Sequence, residues 1–227
     1  MNKHFLAVSL IVVLTASHVQ AQFNFGVRTG LNYTKVLGTG VAPVNNLKAG
    51  FQFGVVADYA VNGKFSIEPG LLFSTLGYKG QQYVTEYPTG KKAYFFKYQE
   101  SPNYIQIPVH ARYKLGNKVF LHAGPYFGFA IGGKASAEYL DNDGNRMAKA
   151  SHKLTFRLDD SHSRYSRTFD YGLGVGVAVK FGNVQVGLEG NTGLAGISKY
   201  DTISFEDIFI YKKNGGFALT ATYMFGK

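Results

Sequence analysis

Two carboxylates, Asp58 and Glu68, and two arginines, Arg28 and Arg112, lie in stretches that otherwise alternate apolar residues with small or polar ones. His122 and Glu189 occupy comparable positions further along. Two carboxylates held side by side could act as a general acid and base, because like charges raise the pKa of one of them. The same groups beside arginines could instead neutralise one another in a closed interior, where a buried charge must be paired. The choice depends on the elements that carry them.

Other motifs are weaker. "DNDGN" at 141–145 looks like part of a calcium loop but lacks the later bidentate Glu, and reads as a turn. "GLGVGVA" at 172–178 has glycine at every second residue of a strand pattern, without the strand-to-helix turn of a phosphate loop, so it reads as space for facing side chains. His152, Asp159, Asp160, Ser161 and His162 share one loop with no nucleophile elbow to fix them. The chain has no Cys, which excludes disulfides and thiolate metal sites, and no metal or cofactor is expected.

The positioning elements are strands. Eight stretches alternate strictly: 23–35, 49–61, 65–77, 104–115, 119–131, 169–181, 184–194 and 217–225. In "YIQIPVHARY", for example, Ile105, Ile107, Val109, Ala111 and Tyr113 share one face, and Gln106, Pro108, His110 and Arg112 the other. Most of these runs exceed the usual strand of a soluble sandwich and suit a tilted strand crossing a bilayer. Three connections are tight, at 61–65, 115–119 and 181–184, and each carries Asn-Gly or Gly-Asn. Four are long, at about 36–48, 79–103, 132–168 and 195–216, with hairpins expected around Asp143-Gly144 and at 88–90. Composition agrees: 28 Gly, 19 Phe and 16 Tyr, with 17% charged residues, fit an all-β chain rich in turns. The predicted fold is an eight-stranded antiparallel up-and-down transmembrane β-barrel with short periplasmic turns and long extracellular loops.

In such a barrel the apolar faces meet lipid and the polar faces fill the lumen. Tyr59, Phe65, Tyr113 and Phe225 are expected in a periplasmic aromatic belt, and Tyr33, Phe51, Phe73, Tyr104, Phe127 and Phe217 in an outer one. Strand parity then fixes hairpin register. Pairing residue 61 with 65 sets Asp58 opposite Glu68, and pairing 115 with 119 sets Arg112 opposite His122. Counting from the periplasmic ends places Arg28 near Asp58 and Glu68 near Arg112. The inward set Arg28, Asp58, Glu68, Arg112, His122 and Glu189 reads as a lumen charge network rather than an acid/base pair, since eight strands leave an interior filled by side chains.

Residues 1–21 carry Lys3, a short apolar run and a small-residue end at Ala21, the pattern of a cleaved secretory signal. Residues 22–227 form one barrel domain, destined for the outer membrane. Removing Lys3 lowers the formal charge from +10 to +9, since residues 1–21 hold no other Lys or Arg and no Asp or Glu. Lys91, Lys92, Lys134, Arg146, Arg164 and Arg167 fall in the long loops, where they could meet lipopolysaccharide phosphates.

"FNFGVRTGLNYTKV", "GFQFGVVADY", "FSIEPGLLFSTLGYKG" and "YIQIPVHARYKL" occur in that order. They resemble the first four strands of the PorT-like outer-membrane β-barrel family, and the likeness extends over most of the mature chain. The resemblance implies a porin-like barrel in the outer membrane and no single activity. The expectation is a non-enzymatic, monomeric barrel with a structural, adhesive or secretion-accessory role carried by its extracellular loops. Expected partners are outer-membrane lipid, lipopolysaccharide and other outer-membrane or secretion proteins, with nucleic acid excluded by compartment. The rivals are a small outer-membrane enzyme acting on lipid A or peptide, and a narrow solute pore.

Overall fold

In the computed structural model the described residues are 23–38, 45–85, 92–141, 143–154, 156, 168–196 and 212–225. The secretory signal expected at 1–21 and the turn expected at 88–90 lie outside them. Ten strands form one antiparallel sheet: β1 (Phe23–Gly38), β2 (Asn45–Ala60), β3 (Phe65–Thr75), β4 (Tyr78–Thr85), β5 (Lys92–Leu115), β6 (Val119–Leu140), β7 (Arg146–Lys153), β8 (Phe169–Phe181), β9 (Val184–Gly193) and β10 (Lys212–Met224). Eight of them close a ring in the order β1-β2-β3-β5-β6-β8-β9-β10, with β10 pairing back onto β1 from Gly26–Met224 to Gly38–Lys212. Closure pairs each of the eight ring strands on both sides, which a hydrocarbon environment demands.

Alternation decides which side faces lipid. Phe25, Val27 and Leu31 of β1, Phe51, Phe53 and Val55 of β2, and Leu173, Val175 and Val177 of β8 are all exposed. Arg28, Asn32, Gln52, Glu68, His110, Arg112, Asp170 and Glu189 are buried. A soluble protein rarely exposes so continuous an apolar surface; a barrel in a bilayer requires it. Aromatic pairs mark both rims. Phe23 and Tyr59, and Phe65 and Tyr113, lie 4.9 Å apart at the periplasmic end. Tyr33 and Phe217 (5.2 Å) and Phe51 and Phe73 (5.8 Å) lie near the outer end. Tyr104 does not join the outer belt. It shares the inward parity of Gln106 and is buried at 1% exposure.

The short turns close as the sequence reads, with one difference. At 61–65 the Asn62 side chain accepts from the amides of Lys64 and Phe65, both at 2.9 Å, while Val61 donates to the Phe65 carbonyl. The side chain of Asn62, rather than a positive φ at Gly63, therefore holds this turn.

Several strands outrun the membrane. About 10 residues suffice to cross it, yet β5 has 24 and β6 has 22. Their outward faces are apolar up to Ile105 and Ile131, and polar beyond. At that level Asn103 pairs with Gly132 and Tyr104 with Ala130, so Ile131 is an extra residue. This bulge reverses the parity of β6: Ala130 is buried below it and Ala135 above it. The glycines at 132 and 133 take φ of 153° and 159° to make it. Above the bulge, β4, β5, β6 and β7 form an antiparallel ledge. Its β6–β7 hairpin turns at Gly144, where φ is 86°, as the sequence predicts. At the same level Leu76, Tyr104 and Ala130 cluster, with Phe156 packed against them.

Candidate functional site

The lower lumen holds the charged side chains. The register of β2 on β3 is the same on either side of Asp58, Val56 with Gly70 and Tyr59 with Ile67, which sets Asp58 across from Glu68. Arg112 pairs with His122 between β5 and β6. One placement differs from the sequence expectation: Arg28 is level with Gly54, not Asp58. The cause is the stagger of neighbouring strands in a closed, tilted barrel, which counting from the periplasmic ends ignores. Glu68 is level with His110, yet its carboxylate lies near Arg112 as expected, at 2.7 Å.

Long side chains span the stagger. Arg28 reaches over Gly54 and donates from Nη2 to Glu68 Oε1 at 2.6 Å, and from Nε to Thr222 at 2.9 Å. Arg112 donates from Nη1 to Glu68 Oε2 at 2.7 Å and to Asp58 Oδ1 at 3.2 Å, and from Nη2 to Gln185 at 2.6 Å. Its guanidinium also lies 4.5 Å from the centre of the Phe120 ring. Glu68 is thus clamped between two arginines, with both oxygens bonded. A carboxylate so held is a poor general base, because its lone pairs are engaged by permanent cations.

His122 and Glu189 meet on a different line. His122 pairs with Gly176, and Gly176 with Glu189, so the missing side chain lets the outer two touch. His122 Nε2 lies 3.3 Å from Glu189 Oε2. His110, fully buried, places Nε2 3.9 Å from Glu189 Oε1, and its ring stacks on His122 with centroids 5.1 Å apart. A second polar group lies higher. Asp170 Oδ2 accepts from Asn214 at 2.9 Å and from Tyr126 at 3.3 Å. The alternating glycines of β8 make room for these side chains. A Cβ at Gly172 would lie 2.6 Å from the Tyr126 ring, and one at Gly176 2.6 Å from His122.

Among the described residues, a lumen cavity of about 30 Å³ is bordered by Asn32, Gln106, Tyr126 and Asn191, enough for about two water molecules. A larger recess of about 470 Å³ sits on the ledge, between Lys79, Lys97, Lys149, Glu138 and Gln99. There Glu138 accepts ion pairs from Lys149 at 3.1 Å and Arg146 at 3.3 Å. The hydrogen bond from Lys149, aided by Arg146, holds its carboxyl below the ordinary glutamate value. Lys134 is exposed at the foot of the ledge. Lys92 opens β5, while Lys91, Arg164 and Arg167 lie outside the described residues, as do Asp159, Asp160, Ser161 and His162.

Sequence reasoning did not anticipate the meeting of His110, His122 and Glu189, nor the Asp170 group. The first was within reach: carrying the strand parity across Gly176 aligns His122 with Glu189. The second depends on Asn214 and Tyr126, brought together only by barrel closure.

Residues 17–199 match the model of the outer membrane protein beta-barrel domain, and the chain belongs to that family. It is an outer-membrane protein, with the eight-stranded ring set in that membrane. Among solved structures it is similar to Ail, the attachment invasion locus protein of Yersinia pestis, at 13% identity and a TM-score of 0.42, over 90% of this chain and 99% of that one. Neisserial surface protein A matches at 12% identity and 0.42, over 88% and 96%. A major outer membrane protein from Thermus thermophilus matches at 16% and 0.42, over 89% and 99%. No curated protein matches the chain in sequence.

Proposed function

We propose that this protein is a non-enzymatic barrel of the PorT-like branch whose lumen is sealed and whose working part is the extracellular ledge, an adhesive and structural surface for phosphorylated glycolipid. The order of the four strand motifs supports the branch. The observation that carries the function is the contrast, among the described residues, between a lumen cavity of about 30 Å³ and an external recess of about 470 Å³ bordered by three lysines. A pore needs the first space to be large. An enzyme needs reactive groups that substrate can reach, and Glu68, His110 and Arg112 are sealed inside. The ledge offers Lys79, Lys97 and Lys149 around the recess, with the exposed Lys134 and Lys153 nearby and a single carboxylate, Glu138, in the lining. Because β5 and β6 carry it above the apolar band, it stands at the level of lipopolysaccharide phosphates, which lysines bind as point charges.

The test is co-sedimentation of the refolded barrel with lipopolysaccharide, for wild type and for the triple variant Lys79→Gln, Lys97→Gln, Lys149→Gln. Wild type should bind in a salt-sensitive way, and the folded triple variant should lose most of that binding. Equal binding by both would reject the ledge as the contact surface.

A further inference from the structure

We propose that His110, His122 and Glu189, with the side-chain oxygen of Asn191, form a lumen site for one divalent transition-metal ion of the zinc class. Three independent observations point there. First, the ligand atoms of His110, His122 and Glu189 all lie within 4.8 Å of one another, and all three residues are buried. A tetrahedral zinc ion with bonds of about 2.0 Å holds its ligand atoms about 3.3 Å apart. His122 Nε2 already stands 3.3 Å from Glu189 Oε2, and His110 Nε2 3.9 Å from Glu189 Oε1, so the carboxylate lies between the two rings and the set closes by drawing the imidazoles inward from within 4.8 Å.

Second, His110 is 1% exposed, yet among the described residues neither ring nitrogen has a hydrogen-bond partner, and neither does Asn191 Oδ1. Buried polar atoms without partners are rare. These orphans converge. The point where a Cβ of Gly174 would sit lies 2.6 Å from Asn191 Oδ1, 3.2 Å from Glu189 Oε1 and 3.2 Å from His110 Nε2. Three lone-pair atoms therefore face one small volume, and that volume exists because residue 174 has no side chain.

Third, the charges leave an anion over. Arg28 and Arg112 spend their bonds on Glu68 and Asp58, two cations with two anions. Glu189 is left with imidazoles, and unlike Asp170, which accepts from Asn214 and Tyr126, its side chain has no amide or hydroxyl donor among the described residues, so a cation between the rings would stabilise it. An imidazolium is the rival partner. His110, though, has Glu189 beyond hydrogen-bond reach and no other acceptor, a poor setting for a ring that must donate twice. Two imidazoles and two oxygens suit zinc or a neighbouring divalent ion, whereas calcium and magnesium prefer oxygen alone.

The test uses the full mature barrel without an affinity tag, refolded in detergent from metal-free buffer. Refolding with and without Zn²⁺ or Co²⁺ allows for a closed lumen. Wild type should retain one equivalent of Zn²⁺ after desalting, and with Co²⁺ it should show the visible absorption of a low-coordinate nitrogen–oxygen site. Glu189→Gln and His110→Gln should lose the equivalent. Gly174→Ala, which keeps every ligand but fills the cradle, should lose it as well while keeping the heat-modifiable folded band. A His152→Gln/His162→Gln variant, lacking the other two histidines of residues 22–227, should retain it. A folded wild-type barrel that keeps no metal overturns the proposal, even where a variant fails to fold. So does retention of the equivalent by Glu189→Gln or His110→Gln.

Discussion

Replacing Arg112 with leucine tests how the lumen is held together. Arg112 is 2% exposed and ties Glu68, Asp58 and Gln185 into one cluster. Breaking one partner of a buried ion pair costs about 3–5 kcal/mol. Here the lower end applies, about 3 kcal/mol, because Glu68 keeps Arg28 at 2.6 Å and the Asp58 side chain is 21% exposed. The structure also says which second change should compensate. In Arg112→Leu, Glu68 and Arg28 remain a one-to-one pair, so the stranded carboxylate is Asp58. Asp58→Asn should recover part of the loss, whereas Glu68→Gln should deepen it by stranding Arg28. The coupling expected between such neighbours is about 0.5–3 kcal/mol. The assay is a urea titration of the refolded barrel in micelles, read as the fraction migrating in the folded gel band. An Arg112→Leu barrel as stable as wild type, or rescue by Glu68→Gln and not by Asp58→Asn, refutes this network.

Three further outcomes follow from the same geometry. The chain has no Cys, so single cysteines report topology cleanly: Gly144→Cys should react with an impermeant maleimide on intact cells, and Asn117→Cys only after the outer membrane is breached. At the ledge tip, the Asn145 side chain and then its amide hold the Asp141 carboxyl below its ordinary value of 3.8. A depressed folded pKa contributes stability that is present above 3.8 and lost as pH falls through the lower folded value. The Asn145 amide resonance should therefore keep its bonded shift from neutral pH down past 3.8, and an inflection at or above that value contradicts the turn described here. Gly172→Ala forces a methyl against the Thr192 carbonyl and the Tyr126 ring, and should lower the stability of the folded band by about 1–3 kcal/mol in the same urea assay.

The barrel was legible because period-two alternation carries nearly all of its information: the β8 span 169–181 and the three short turns can be read from residue types alone. The polar face was legible for the same reason, since parity puts Arg28, Glu68, Arg112 and Glu189 inside. Contacts across the lumen were not. They depend on stagger, a property of the closed ring, so Arg28 meets Glu68 rather than Asp58. The ledge was half-visible. The hairpin at Asp143-Gly144 can be read from its turn chemistry, but the bulge at Ile131 that reverses the parity of β6 depends on pairing with Asn103. Tyr104 shows the hazard of reading ring type ahead of parity: an aromatic near a strand end suggested a belt, while its even position placed it inside.

A sealed lumen underlies the proposed role, and planar-bilayer recording of the unmodified mature barrel reads it without a variant. With Arg28, Arg112 and Glu68 clamped across the lower lumen, Tyr126 and Asp170 above them, and Leu76, Tyr104 and Phe156 packed together higher still, insertion should give no steady conductance step. A stable, ion-conducting open level from the folded wild-type protein would contradict the account.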